Sequence, residues 1–226
     1  MKTVLVLFLL SFTLYAQTYK VEKIDGIVKV QIGTDEKWVD VKEGTILKSN
    51  STLKTGEKSS VKIKSDELNF ILKESSAISV SSIKKMTLDE LLLALAMEDM
   101  LNAPKKKEKT NGKNTAVYGT EEKGNKDLHI SSDDFGIKKL NGALQLAENG
   151  FKESAVVAAK ETYRKYPSTK ELAQFRIYFA DILYERGLYE EAYDEFGLIK
   201  NLKLSDKEKT EVENKLEIIS KKLVNR

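Results

Sequence analysis

The chain has no cysteine, one histidine and two prolines among its 226 residues. Without cysteine the protein can form no disulfide bond, it offers no thiolate to zinc, and its mature form cannot be acylated on an N-terminal cysteine. The one histidine, His129, has no cysteine or second histidine with which to bind a metal or form a catalytic dyad. We therefore expect no metal and no cofactor, and a fold that depends on apolar burial alone.

A concentration of charge of one sign is also missing. The formal net charge is +3, with 13 lysines against 14 acidic residues in 17–102 and 17 basic against 15 acidic residues in 135–226. Proteins that bind nucleic acid displace counterions with a concentrated basic surface, which these nearly neutral segments do not supply. We expect no nucleic-acid partner.

Motifs of the common enzyme classes are absent as well. The sequence has no phosphate-binding loop, no GxSxG nucleophile elbow and no HExxH zinc motif. Acidic pairs such as Asp89-Glu90 and Glu190-Glu191 fall at the starts or on the faces of predicted helices, where solvated charge is ordinary. An envelope polysaccharide hydrolase with two carboxylates is the best enzymatic alternative, but we expect a protein that is not an enzyme.

Only one apolar run exceeds ten residues, and it lies at residues 4–16 behind Met1-Lys2. A short basic start, an apolar stretch and a small residue at Ala16 are the three parts of a secretory signal peptide. The stretch is shorter than the ~20 residues that a spanning helix needs. We therefore expect cleavage after Ala16, no membrane-spanning segment in the mature chain, and a periplasmic or secreted location in the bacterial envelope.

Short alternating segments separated by glycines fill residues 17–83. Asp25-Gly26 predicts a two-residue type I′ hairpin, because both central positions of that turn need positive φ angles. A second hairpin is predicted over residues 33–36, with a return strand that starts at Trp38, the only tryptophan. Six or seven strands at this spacing predict a small sandwich or barrel with Trp38 in its core.

A helix is predicted for residues 87–102. Thr87 and Glu90 have the spacing of a capping box, and apolar residues then recur with a helical period. Leu93, Met97 and Leu101 widen the apolar stripe beyond what contact with one sheet covers. The helix therefore either packs across the β module or docks a partner or a second copy of the chain.

Residues 103–134 lack the apolar side chains that a folded segment needs. They contain Pro104, three glycines and the lysine-rich run 105–109. Such a composition buries too little surface to offset the loss of chain entropy on folding. We expect a flexible linker.

Helical pairs recur about 37 residues apart over residues 135–226. Gly150 and Ala155 of the first pair match Gly187 and Ala192 of the second, and small residues at these places let two helices approach closely. A last helix opens with a capping box at Ser205 and has one apolar stripe, as a terminal capping helix would.

The β module has glycines and apolar residues in a regular series: Gly26-x-Val28-x-Val30, Trp38, Gly44 and Leu53-x-Thr55-Gly56. This series resembles a FecR-type domain, the periplasmic module named after an iron-citrate signalling regulator. The resemblance implies the β fold of that module. It does not extend to the sigma-factor-binding region and membrane span of the regulators, so the signalling role is not carried over.

The second helical pair has small and aromatic residues at repeat spacing: Phe179-Ala180-x-x-Leu183-Tyr184-x-x-Gly187-x-Tyr189-x-x-Ala192-x-x-x-Phe196. This segment resembles a tetratricopeptide repeat, and the first pair is a weaker copy. In that family the first helix of each pair lines a concave groove. The resemblance implies a groove for a protein or peptide partner, formed by Leu140, Leu144, Glu148, Gln174, Ile177, Asp181, Tyr184 and Glu185. The alternative is that Leu140, Leu144 and Ile177 pack on the linker or the β module.

The predicted organisation is α+β and multidomain. It comprises a signal peptide at 1–16, a FecR-like all-β sandwich or barrel with a C-terminal helix at 17–102, a linker at 103–134 and an all-α tetratricopeptide-like domain with a capping helix at 135–226. We expect a non-enzymatic extracytoplasmic protein that binds other proteins or scaffolds an assembly. The alternative is a sensor or regulatory subunit of a cell-surface signalling pathway. No motif indicates the partner's identity or the oligomeric state.

Overall fold

The computed structural model describes residues 18–35, 37–65, 68–103 and 132–225. The predicted signal peptide and nearly all of the predicted linker lie outside these ranges, so both stay predictions. The predicted end of the linker at residue 134 is wrong, because residues 132–134 are already helical. Within them the chain forms strands first and helices afterwards, which confirms the mixed α+β class.

Eight strands occur in the described part of the chain: β1 Tyr19–Asp25, β2 Val28–Ile32, β3 Val39–Asp40, β4 Ile46–Leu47, β5 Ser51–Thr55, β6 Ser60–Lys64, β7 Asn69–Leu72 and β8 Ala77–Ser79. Six α-helices follow there: α1 Leu88–Asn102, α2 Ser132–Glu148, α3 Lys152–Lys165, α4 Ala173–Glu185, α5 Tyr189–Ile199 and α6 Asp206–Val224. Short 3-10 helices cover Val80–Ser82 and Pro167–Glu171.

The strands form two four-stranded antiparallel sheets, in the orders β4-β1-β6-β7 and β3-β2-β5-β8. Alternate residues are buried, as in β5, where Ser51, Leu53 and Thr55 face inward and the residues between them are partly exposed. Period-two burial of this kind requires one covered face per sheet. The buried side chains of both sheets belong to one apolar core.

The predicted hairpin at Asp25-Gly26 is wrong, because β1 and β2 lie in different sheets. Gly26 does have the expected positive φ, at +74°, but the chain uses it to cross between the sheets. Ser59 holds the crossing: its Oγ accepts a hydrogen bond from the Ile27 N–H at 2.9 Å. A Cβ on Gly26 would lie 2.4 Å from that oxygen. The second predicted hairpin is confirmed, since β2 and β3 are antiparallel neighbours with Val30 opposite Val39.

Helix α1 begins where the sequence predicts, with Thr87 and Glu90 forming a capping box. It does not lie across the sheets as one prediction had it, but packs chiefly against α3. Leu91 and Leu95 are buried, and the Arg164 guanidinium of α3 donates two hydrogen bonds to the Glu98 carboxylate, at 2.7 and 3.2 Å.

The turns after α2 and α4 have the same geometry 37 residues apart. Gly150 and Gly187 have φ angles of +88° and +77°, and the following residue donates back to the carbonyl five positions earlier, at 2.8 Å for Phe151 to Leu146. The equivalent bond after Gly187 is 3.0 Å. This C-terminal motif needs a residue that tolerates the left-handed conformation, which glycine does without strain.

The β strands and the helices are joined along a continuous seam. Gly142 of α2 lies against β8, where a Cβ on this glycine would come within 2.0 Å of the Ala77 carbonyl oxygen. Asn149 completes the outer edge of β7, since its amide accepts from the Ile71 N–H at 3.1 Å and donates to the Ile71 carbonyl at 3.2 Å. Pairing of this kind covers an edge strand that would otherwise offer unpaired backbone groups.

Trp38 lies at this seam, which corrects its predicted place in the β core. The side chain is only half-buried, and its ring meets the Phe135 ring edge-on with centroids 5.8 Å apart. The Lys54 Nζ sits 4.0 Å above the indole. Because Trp38 immediately precedes the short outer strand β3, its side chain reaches helix α2 and not the space between the sheets.

Candidate protein-binding surfaces

Three of the predicted groove residues share one wall of an open groove. Gln174, Ile177 and Asp181 lie along α4, and the first turns of α6 form the opposite wall. The groove has a volume of about 480 Å³. Tyr178, which the prediction omitted, lines the same wall; its position four residues after Gln174 on a helix is the signal that could have identified it.

Leu140 and Leu144 do not line that groove. Leu140 is fully buried and Leu144 is partly buried against the same core. Helix α2 packs on β7 and β8, so the face that an isolated helical array would offer to a partner is covered by the β strands. This is the alternative that the sequence left open, and it removes Leu140 from any accessible surface.

Each acidic residue of the predicted groove already forms an ion pair with a lysine. Glu148 pairs with Lys73 at 2.6 Å, Asp181 with Lys215 at 2.5 Å, and Glu185 with Lys152 at 2.5 Å. The pairs of Glu148 and Glu185 are exposed, and such pairs contribute only about 0–1 kcal/mol each, so a basic group on a partner could replace Lys73 or Lys152 at small cost. The pair of Asp181 and Lys215 is partly buried, with side chains that are 27% and 28% exposed.

Tyr184 is held at the far end of the α4–α6 contact. Its ring lies 5.6 Å from that of Tyr189, and the Nζ atoms of Lys215 and Lys222 stand 4.9 and 5.3 Å from it. Tyr184 is partly buried, and Ile177 is buried, with 6% of its surface exposed. The accessible part of the groove is thus mainly polar, and the aromatic ring that remains half-exposed there is that of Tyr178.

A second surface lies on α1 and is apolar. Leu93, Met97, Met100 and Leu101 are 64%, 56%, 77% and 63% exposed. Their spacing of four, three and one residues places them on one side of the helix, opposite the buried Leu91 and Leu95. We call these four residues the α1 apolar surface.

Acidic residues accompany the α1 apolar surface. The segment from Leu88 to Asn102 contains Asp89, Glu90, Glu98 and Asp99 and no lysine or arginine. Glu98 is neutralised by Arg164, whereas Asp89 and Glu90 lie in the first turn. The helix itself therefore combines an exposed apolar stripe with acidic residues at its N-terminal end. Hydrogen bonds from Thr87 lower the pKa of Glu90, and Lys84, just before the helix, lies close enough to lower it further.

The described residues contain neither a cluster of metal-ligand side chains nor a helix that could span a membrane. No group of three or more histidine, cysteine, aspartate or glutamate side chains among them could hold a metal ion. Of the helices in the same ranges, none is both long enough and apolar enough to cross a membrane. Comparison with known proteins finds no matching family model, no matching curated protein and no matching solved structure.

Proposed function

We propose that this protein is a non-enzymatic, extracytoplasmic scaffold of the bacterial envelope that binds another protein through the α1 apolar surface. The observation that carries the proposal is the exposure of four large apolar side chains on a helix whose opposite side is already buried. Patches of ~300–600 Å² are the largest that a typical monomer exposes, and they are often functional. A protein partner that covers these side chains would remove their apolar surface from water.

The architecture that supports this role combines two resemblances. The two antiparallel sheets suit a FecR-like sandwich, and the recurrence of the same turn at Gly150 and Gly187 suits tetratricopeptide-like pairs followed by a capping helix. Helical pairs of the tetratricopeptide kind bind other proteins, and the FecR-like resemblance supports the β fold alone. The apolar stretch at residues 4–16 supports export and hence a periplasmic or secreted location.

The partner's chemistry follows from the charges of α1. Leu93 and Leu101 are eight residues apart, which spans about 12 Å along a helix, so a partner helix of two to three turns covers the surface. Asp89 and Glu90 at one end favour a lysine or arginine there. A second copy of α1 would bring only further acidic groups, since the helix has no basic residue. We therefore assign the surface to an amphipathic segment of a different protein with a basic end.

The groove between α4 and α6 is the second candidate surface, favoured by its open shape and by Gln174, Asp181 and Tyr178 on one wall. Its polar lining suits an extended peptide with a basic or amide side chain. It would supply specificity more than affinity, because a basic group that binds Asp181 must first displace Lys215 from it.

The partner can be captured by expressing, in the native envelope, the protein with a photo-crosslinking residue in place of Met97. The control carries the same residue in place of Ile218 of α6. Both positions are exposed and apolar. We expect one protein to be crosslinked from position 97 and not from position 218. A crosslinked protein without an amphipathic, basic-ended segment would contradict the assigned chemistry.

Binding of the captured protein is expected to weaken about 100-fold or more when Leu93→Glu is combined with Met97→Glu, because two apolar anchors at the centre of an interface contribute ~3 kcal/mol or more together. The matched control is Leu198→Glu with Ile218→Glu, at exposed apolar positions of α5 and α6. Both pairs should leave the melting temperature nearly unchanged. If the α1 variant kept its affinity for the partner and Gln174→Arg combined with Glu211→Arg lost it, the groove would be the recognition surface. If both double variants kept their affinity, the scaffold role would be refuted.

A further inference from the structure

A partly enclosed cavity of about 180 Å³ lies at the seam between the strands and the helices. Its floor is a polar stripe across three neighbouring strands, in which Gln31, Thr52 and Ser79 lie side by side. These residues alternate with the buried Val30, Leu53 and Ile78 and so face away from the β core. Helices α2 and α3 form the roof, with Lys139, Phe135, Glu161 and Tyr166 along it.

Among the described residues, no carboxylate is paired with the Lys139 ammonium, which lies in this cavity. Its Nζ donates to the Ser79 Oγ at 3.0 Å and lies 5.9 Å from the centre of the Phe135 ring. Glu161, the carboxylate on the cavity wall, is bonded to Lys165 at 2.5 Å instead. Within the described ranges Lys139 takes part in no ion pair.

The lowered pKa of Lys139 shows that its charged form is poorly stabilised in this cavity. Burial lowers the pKa of Lys139 to about 8, with Glu161 opposing the change and Lys165 adding to it. A buried ammonium with one hydroxyl partner has lost most of its hydration. A negative group in the cavity would restore the favourable environment of the charged form.

The surroundings favour the same sign of ligand. Burial lowers the pKa of Lys54, the nearby Lys138 and Lys29 lower it further, and Asp134 opposes them. These lysines lie on the same outer face of the sheet as the floor of the cavity or on α2 beside it. Lys29 and Lys138 are already paired with Asp40 and Asp134. Lys54 takes part in no ion pair within the described ranges, so its charge adds to that of Lys139 in favouring an anion at the seam.

We propose that this cavity binds a small oxyanion, a carboxylate or phosphate group whose charge is held by the Lys139 ammonium and whose oxygens accept hydrogen bonds from the hydroxyls of Ser79 and Thr52. The volume is below the ~300 Å³ of sites for drug-sized molecules, so the ligand is a small metabolite or a single anionic group of a larger molecule that enters from the open side. Because strands and helices both line the cavity, an occupied site ties the two halves of the protein together.

The test is a titration of lysine-labelled protein, followed by the NMR signal of the Lys139 side chain, with acetate and inorganic phosphate as separate probes at constant ionic strength in chloride. We expect one probe to give a saturable shift with a dissociation constant of about 1 mM or tighter. Binding should raise the apparent pKa of Lys139 by about one unit, which corresponds to tenfold tighter binding to the charged form. The titrating groups that also line the cavity are Glu161, Lys165 and Tyr166. Comparison of the two probes distinguishes a planar carboxylate site from a tetrahedral phosphate site.

Lys139→Met and the neighbouring Lys138→Met are the matched variants, since Lys138 is already paired with Asp134 at 3.2 Å. The preferred probe should raise the melting temperature of the wild-type protein and of Lys138→Met, but not that of Lys139→Met. Equal stabilisation of all three proteins, or no saturable shift with either probe, would overturn the proposal. If Lys139→Met failed to fold, the wild-type NMR titration alone would decide.

Discussion

Replacement of Gly142 by alanine is expected to destabilise the protein by about 3 kcal/mol, although the same change in an ordinary helix stabilises by up to ~1 kcal/mol. Gly142 lies inside α2, and a Cβ on it would be 2.0 Å from the Ala77 carbonyl oxygen and 2.8 Å from the carbonyl carbon. Both atoms belong to the backbone of β8 and cannot rotate away. The helix would have to move off the strand and break contacts along the seam.

Gly197 supplies the matched control, because it also lies inside a helix, α5, but an added Cβ there meets nothing within 4 Å. We expect Gly197→Ala to raise the free energy of unfolding by about 0.5–1 kcal/mol. Urea unfolding of both variants gives the comparison. If Gly142→Ala were neutral or stabilising, α2 would not rest on β8 in solution, and both the seam and its cavity would be in doubt.

The features that the sequence predicts well are those that depend on a few adjacent residues. The capping boxes at Thr87 and Ser205 form as predicted, because each side chain accepts a hydrogen bond from an N–H only three residues later. Gly150 and Gly187 also act locally, as left-handed turns. The prediction that they allow close approach of two helices is wrong, because an added Cβ at either would meet nothing within 4 Å. Such signals place the ends of helices without any knowledge of what the helices pack against.

The features that depend on distant partners are not predictable in this way. Asp25-Gly26 has the composition of a hairpin turn, yet β1 takes β4 and β6 as neighbours and leaves β2 to the other sheet. A positive φ angle is required by both a hairpin and a crossing, so the dipeptide alone cannot distinguish them. Gly142 is similar. The residue that leaves no room for a side chain there is Ala77, which is 65 positions earlier in the sequence.

The candidate site shows the same division. The sequence indicates that α1 is too widely apolar for one contact, but only the packing of α3 shows that Leu91 and Leu95 are buried while Leu93 and Met97 are exposed. Leu140 has the helical position of a groove residue and is buried because strands cover α2. Nothing in the sequence distinguishes Lys139 from the other lysines, because only its surroundings in the fold are different.

Glu195→Gln is expected to lower the free energy of unfolding by about 3–5 kcal/mol, because it leaves a buried arginine without its counter-charge. Glu195 of α5 is 8% exposed, and Arg176 of α4, whose Nη2 donates to its Oε2 at 3.1 Å, is also 8% exposed. Lys160 of α3 donates to the other carboxylate oxygen. The carboxylate thus joins three helices. The control is Asp194→Asn, which removes the same charge from the preceding, exposed position and should change stability by less than about 0.5 kcal/mol.

The same carboxylate gives stability a defined pH dependence. Burial by itself would raise the pKa of Glu195, but the charges and hydrogen bonds of Lys160 and Arg176 outweigh it and hold the pKa below the ordinary value of 4.5. A pKa that is lower in the folded than in the unfolded chain means that the ionised group stabilises the fold above the unfolded value, and that this contribution is lost as the pH falls through the folded value. Tyr163, which lies beside the cluster, has a pKa raised by burial and stays neutral throughout this range.

Urea unfolding between about pH 7 and pH 3 should therefore show a decline in the free energy of unfolding below about pH 5 in the wild-type protein. The decline should be shallower in Glu195→Gln. Equal slopes in the two proteins would show that the three helices are held together by apolar contacts without help from the buried charges.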